Sequence, residues 1–255
     1  MNLFFLIILF ILGTVLGSFY GVLGSRLPIE KSIVKPGSHC EFCKHPLKWY
    51  ELIPIISFLI QKGKCRKCHK KLSWMYLFTE LFTGILFVAS YLYLGVSYEF
   101  FVSLILSSLV TIIFVSDMKY MIILDSPLIV SGILFFALQW IYFGISVALM
   151  SLLNGFITFS IMFLIGKLGN FIFKKESLGG GDIKLSFLSG MILGIPLSVI
   201  SLMLSSFLAL PYAFACLSLK NDHEVPFGPF LISALWIVFF FLPKFQAVFD
   251  FLKFL

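Results

Sequence analysis

MNLFFLIILFILGTVLGSFYGVLGSRLP (Met1 to Pro28) carries no charged residue before Arg26. About twenty helical residues cross the hydrocarbon core of a bilayer, so this run is long enough for one crossing. A secretory signal would begin with a positive segment and carry a shorter apolar core. The stretch therefore reads as an uncleaved membrane helix, with Arg26 on the cytosolic side and the N-terminus outside.

The rest of the chain follows the same pattern. Of the 255 residues, 60% are hydrophobic, and the mean hydropathy is +1.06. Soluble domains run near half apolar, so the excess places the chain in a membrane. Short alternating segments of a β-barrel are absent. The expected fold is an all-α polytopic membrane protein of about eight transmembrane helices. The apolar segments lie near 2–23, 76–95, 99–116, 126–143, 146–167, 183–196, 198–219 and 228–248. Gly190, Gly194 and Pro196 interrupt the short sixth segment, which is expected to tilt or to span only part of the membrane.

The net charge is +7, and 11 of the 19 Lys and Arg residues fall between Arg26 and Lys71. Concentrated in one loop, this charge reads as a topology signal and an attraction for anionic membrane lipid. It does not call for nucleic acid. With the N-terminus outside, residues 24–75, 117–125, 168–182 and 220–227 face the cytoplasm, and they hold Lys119, Lys174, Lys175 and Lys220. The opposite connections, 96–98 and 144–145, hold no Lys or Arg, and only Lys244 and Lys253 break the rule.

Residues 24–75 form the one soluble-like insert, too small to build a large core. Its Cys40-x-x-Cys43 and Cys65-x-x-Cys68 pairs, separated by 21 intervening residues, match the spacing of a four-cysteine zinc site. Lys44, Lys64, Arg66 and Lys67 offset the charge of four thiolates. The alternative, two disulfides or redox pairs, is disfavoured on the cytosolic side. His39, His45 and His69 flank the pairs as surface residues or substitute ligands, and Cys216 reads as a packing residue.

Two carboxylates sit at the ends of apolar segments: Asp117 in IFVSDMKYMIILDSP and Asp182 in ESLGGGDIKLSF, each with a lysine two residues on, Lys119 and Lys184. Carboxylates at a membrane edge are costly and mark function. Two held close share a proton, so one acts as general base on a water and the other as acid on a carbonyl. Gly179, Gly180 and Gly181 would let a substrate backbone approach and allow unusual dihedrals. The alternative is a pair of ordinary interfacial residues beside a flexible loop.

Several motifs, in order, resemble the bacterial prepilin peptidases of the type IV leader peptidase family, within the GxGD intramembrane aspartyl proteases. They are GSFYGVLGSRLP (17–28), the tetracysteine stretch (40–68), ELFTGILF (80–87), SDMKYMIILD (116–125), GGGD (179–182) and EVPFGPFL (224–231). The resemblance implies a bifunctional enzyme of the bacterial inner membrane. It would remove the basic leader from type IV prepilins or pseudopilins at the cytoplasmic face, in type IV pilus or type II secretion systems. It would then methylate the new N-terminus with S-adenosylmethionine. It implies Asp117 and Asp182 as the catalytic pair, Asp125 as a non-essential acidic position, and Cys40, Cys43, Cys65 and Cys68 as zinc ligands. It divides the chain into a first helix (1–23), a methyltransferase-associated zinc insert (24–75) and a peptidase domain (76–255). Leu124 stands where the family often has Pro, and Gly180 where it commonly has Ala. No Gly-rich fingerprint for a methyl donor exists. Glu80 either lines the donor site or is a buried structural carboxylate. A transporter would place charges at the bilayer midplane within an internal repeat, neither of which is seen. An assembly factor would need no Asp182, and a peptidase without methyl transfer stays open.

Overall fold

The computed structural model describes residues 3–174, 178–218 and 225–242. The described residues form eight α-helices, short 3-10 turns and no strand. The helices are α1 (Leu3–Arg26), α2 (Ile56–Ile60), α3 (Trp74–Leu94), α4 (Tyr98–Tyr120), α5 (Asp125–Phe143), α6 (Ile145–Phe173), α7 (Gly180–Ser218) and α8 (Gly228–Phe240). Six are long and apolar enough to cross a membrane, and α8 is a shorter apolar helix. Lys175, Glu176, Lys220, Glu224, Lys244 and Lys253 lie outside the described residues, as do the ends of the last two expected segments.

Local chemistry sets the helix ends. Ser73 and Ser97 cap α3 and α4 by accepting the N–H groups of Met75 and Phe100. Gly144, at φ 87° and ψ 166°, alone separates α5 from α6, a conformation that favours a residue without Cβ. Three helices run beyond their expected ends, α1 among them, which continues through Arg26. The α4 helix continues to Tyr120, so Asp117 lies inside its last turn and not in the following loop. The α6 helix continues to Phe173.

The sixth and seventh expected segments are one element, α7, of 39 residues. A straight helix of that length would measure about 58 Å, far beyond a hydrocarbon core of about 30 Å. Gly194 breaks it, with φ 73° and ψ 173°, nearly the conformation of Gly144. Leu185, Ser186 and Ser189 before the break line one small cavity with Ser198, Ser201 and Leu202 after it. The two limbs therefore lie side by side, and α7 folds back on itself. Pro196 falls in the first turn of the second limb, where its missing N–H has no intrahelical partner to lose.

Packing between the helices relies on small and hydroxyl residues, because lipid gives no hydrophobic reason for helices to associate. A Cβ on Gly13 would lie 2.8 Å from the Cα of Gly84, so α1 and α3 touch backbone to backbone. Thr83 and Thr111 hydroxyls meet at 2.9 Å, and Ser90 and Ser103 at 2.7 Å, tying α3 to α4. The indole of Trp236 donates to Ser107, tying α8 to α4. Leu106, Leu109, Ile113, Leu185, Leu188, Ile232 and Leu235 form the centre of the apolar core. Around this core the C-terminal end of α4 meets the N-terminal ends of α7 and α8.

Candidate active site and metal centre

At that meeting point Asp117 is 5% exposed. Its Oδ2 accepts the backbone N–H of Gly228 at 3.0 Å, a contact that orients the carboxyl group. Asp182 stands in the first turn of α7, half-buried, and interacts electrostatically with Asp117. The fold thus brings together two carboxyl groups that are 65 residues apart in the chain.

The three glycines before Asp182 have different surroundings. None has a positive φ, so unusual dihedrals are not their reason. A Cβ on Gly181 would lie 2.7 Å from the Cβ of Ile123, which makes this glycine a packing requirement. A Cβ on Gly179 would lie 3.0 Å from Asp182 Oδ2, while Gly180 faces open space. Gly228 is also closely fitted. A Cβ there would lie 2.9 Å from both Asp117 Oδ2 and Ile123 Cδ1. Ile123 and Gly228 lie within the SDMKYMIILD and EVPFGPFL motifs, but neither is singled out as a site residue. Gly228 stands beside Pro229 at a helix start.

The lysines that follow each aspartate stay away from them. Lys184 makes a two-pronged ion pair with Asp125 at 2.7 and 2.8 Å, and Lys119 lies over the ring of Tyr120. Asp125 and Lys184 are half-exposed and border an apolar cavity of ≈ 620 Å³ between α5, α6 and α7. Leu128, Ile133, Phe136, Phe156 and Phe187 are among its walls.

The four cysteines of the insert form a cluster whose sulfur atoms all lie within 4.8 Å of one another. Two knuckles build it, and they repeat each other. Cys40 N–H donates to His45 and Lys44 N–H to Cys40, just as Cys65 N–H donates to Lys70 and His69 N–H to Cys65. Lys44 and His69 share the same left-handed φ of 55°. The Cys40–Cys68 and Cys43–Cys65 sulfur separations are 3.8 and 3.9 Å. A tetrahedral ion with metal–sulfur bonds of about 2.3 Å requires about 3.8 Å. The donor set fits a metal ion. The histidines stay outside it: His39 bonds Gly37, and His45 faces Glu51 at 3.9 Å.

Side chains from the membrane helices hold the insert. Arg26 donates to the carbonyls of Ser32, Pro36 and Gly37, and Tyr76 donates to Glu41. Glu80, 8% exposed on α3, accepts the N–H of Ile55 at 2.7 Å. It secures a tight turn in which Ile55 holds φ 62° and Ile56 N–H bonds Pro54. This bond is the buried structural role expected of Glu80. Cys216 is half-buried on α7, away from the cluster.

Comparison with known proteins matches residues 11–94 to the bacterial peptidase A24 N-terminal domain and residues 104–214 to the type IV leader peptidase family. The chain is 36% identical to a prepilin leader peptidase/N-methyltransferase of Bacillus subtilis, over 87% of this chain and 88% of that protein. It is 33% identical to one of Vibrio cholerae, over 94% and 98%. It is 38% identical to one of Myxococcus xanthus, over 70% of this chain and 53% of that protein. No solved structure matches. These matches cover both halves of the chain in order, and the chain belongs to the type IV leader peptidase family.

Proposed function

We propose that this protein cleaves the leader peptide from type IV prepilins or pseudopilins and methylates the new N-terminus. Family membership gives the two activities, and the observation that carries the site is Asp117, anchored by Gly228 N–H within electrostatic reach of Asp182. Asp117 and Asp182 are the catalytic pair. One carboxylate takes a proton from water as it attacks the scissile carbonyl. The other, protonated, hydrogen-bonds the carbonyl oxygen, and the departing amine then receives a proton. No covalent intermediate is needed. Gly179 and Gly180 leave room for the substrate backbone beside Asp182, and Gly181 shapes the floor.

The ion of the insert is zinc, held by Cys40, Cys43, Cys65 and Cys68. Four thiolates complete its coordination and leave no open position for catalysis, so its role is structural. The second activity draws its methyl group from S-adenosylmethionine, and the insert (24–75) serves that activity beside the first helix (1–23) and the peptidase domain (76–255). The two limbs of α7 each traverse the bilayer, which gives eight crossings of an inner membrane. The N-terminus lies outside, and the carboxyl pair and insert face the cytoplasm, where a prepilin leaves its basic leader. Lipid surrounds the bundle.

The test is cleavage of a prepilin by purified wild type, Asp117→Ala and Asp182→Ala in detergent, with product masses measured with and without S-adenosylmethionine. Both variants are expected to leave the precursor intact, and wild type to yield a product one methyl heavier when the donor is present. Normal cleavage by either variant would refute the paired mechanism.

A further inference from the structure

We propose that Ile123 is a positioning residue that sets the gap between the two aspartates, with Gly181 and Gly228 as the two seats that receive it. The inference rests on the peptidase reading above. Ile123 lies on the short link between α4 and α5, after Met121 turns the chain with a left-handed φ of 55°. Its side chain meets two helix starts at once. A Cβ on Gly181 would lie 2.7, 3.2 and 3.3 Å from its Cβ, Cγ1 and Cδ1. A Cβ on Gly228 would lie 2.9 and 3.1 Å from its Cδ1 and Cγ1. Contacts this close exist only because neither helix start has a side chain at that point.

Each seat adjoins one catalytic carboxyl. Gly181 precedes Asp182 in the chain, and Gly228 donates its N–H to Asp117. A single aliphatic side chain thus spaces the α7 start from the α8 start, and with them the two carboxyl groups. Ile123 touches neither carboxyl as an acid or base would. It acts through the backbones that carry them. Packed side chains interconvert between discrete arrangements and deform little, so a wedge at this point transmits its width to the dyad. Misplacement of reacting groups by about 1 Å costs on the order of 100-fold in rate.

A double-mutant cycle on purified full-length protein in detergent decides it, read as prepilin cleavage, with methylation of a pre-cleaved pilin measured on the same samples. Gly181→Ala is expected to cut cleavage by about 100-fold and Ile123→Gly by about tenfold. The double variant, in which the opposing Cβ is gone, should cleave at least about tenfold faster than Gly181→Ala alone. Additive losses, about 1,000-fold in the double variant, would overturn the proposal. The loss should fall on kcat with KM held, and Ile123→Val should regain most of what Ile123→Ala loses. If Gly181→Ala also loses methylation and so fails to fold, the Ile123→Ala and Ile123→Val pair decides instead. A kcat loss restored by Val supports the wedge, and equal loss of both activities or a change confined to KM overturns it. Failure of wild type to cleave prepilin would reject the peptidase reading itself.

Discussion

The cysteine cluster and the carboxylate site solve the same problem, holding charged groups close together, in opposite ways. The cluster draws on two short segments that each fold as the same knuckle, with ligands three residues apart and bonds closing over five. The carboxylate site draws on α4, α7 and α8 and on a backbone N–H 111 residues from the side chain it orients. The first takes its geometry from two local knuckles, on an insert that Arg26, Tyr76 and Glu80 fasten to the membrane helices. The second exists only when the bundle is assembled. The cluster is therefore expected to fail as a unit when one ligand or its ion is lost. The dyad is expected to register small changes in helix packing.

Separating the two activities gives the largest effect. Asp182→Asn should reduce prepilin cleavage by at least about 1,000-fold while methylation of a pre-cleaved pilin persists. Loss of both would mean that the regions are not independent. Cys65→Ser, or stripping of the ion with a chelator, should do the reverse. A metal-held domain loses its fold with its ion, so limited proteolysis should cut within 24–75 and methyl transfer should fall at least about tenfold. An insert equally resistant to protease with and without chelator would contradict this.

Gly228→Ala sharpens the contrast at the bundle mouth. Its Cβ would press on Asp117 Oδ2 and Ile123 Cδ1, and overpacking of this kind costs about 1–3 kcal/mol. A drop in thermal midpoint together with cleavage, and no change in metal content, is the expected pattern. Glu80→Gln keeps the shape and weakens the acceptor for Ile55 N–H, at a cost of about 1 kcal/mol. The insert should become more protease-sensitive while cleavage holds. Lys184→Met breaks the ion pair with Asp125, both partners being half-exposed, and should change stability by less than about 1 kcal/mol.

The two regions also differed in how far sequence revealed them. The cysteine spacing states its own geometry, because each knuckle is local. The apolar helices were legible from length and hydropathy, and Asp117 and Asp182 from their place at segment ends. The partners of the dyad were not. Gly228 contributes a backbone N–H, which leaves no residue-type signature, and Ile123 looks like any other apolar residue until two helix starts close on it. The glycine run suggested loop freedom, while Gly181 is instead required by its neighbour. The structural role of Glu80 rests on the N–H of Ile55, again a backbone group that leaves no mark in the sequence.

The fold-back at Gly194 reaches further than the shape of one helix. With both limbs of α7 crossing, as proposed above, the chain makes four passes between Asp117 and Gly228: α5, α6 and the two limbs. Four is even, so the chain returns to the end from which it left, and Gly228 can reach Asp117. Were Gly194 helical, the count would be three, and Gly228 would emerge at the far end with its N–H a bundle length from the carboxyl it holds. One residue's dihedral angle thus decides a question of parity, and the parity decides whether Gly228 can reach Asp117 at all.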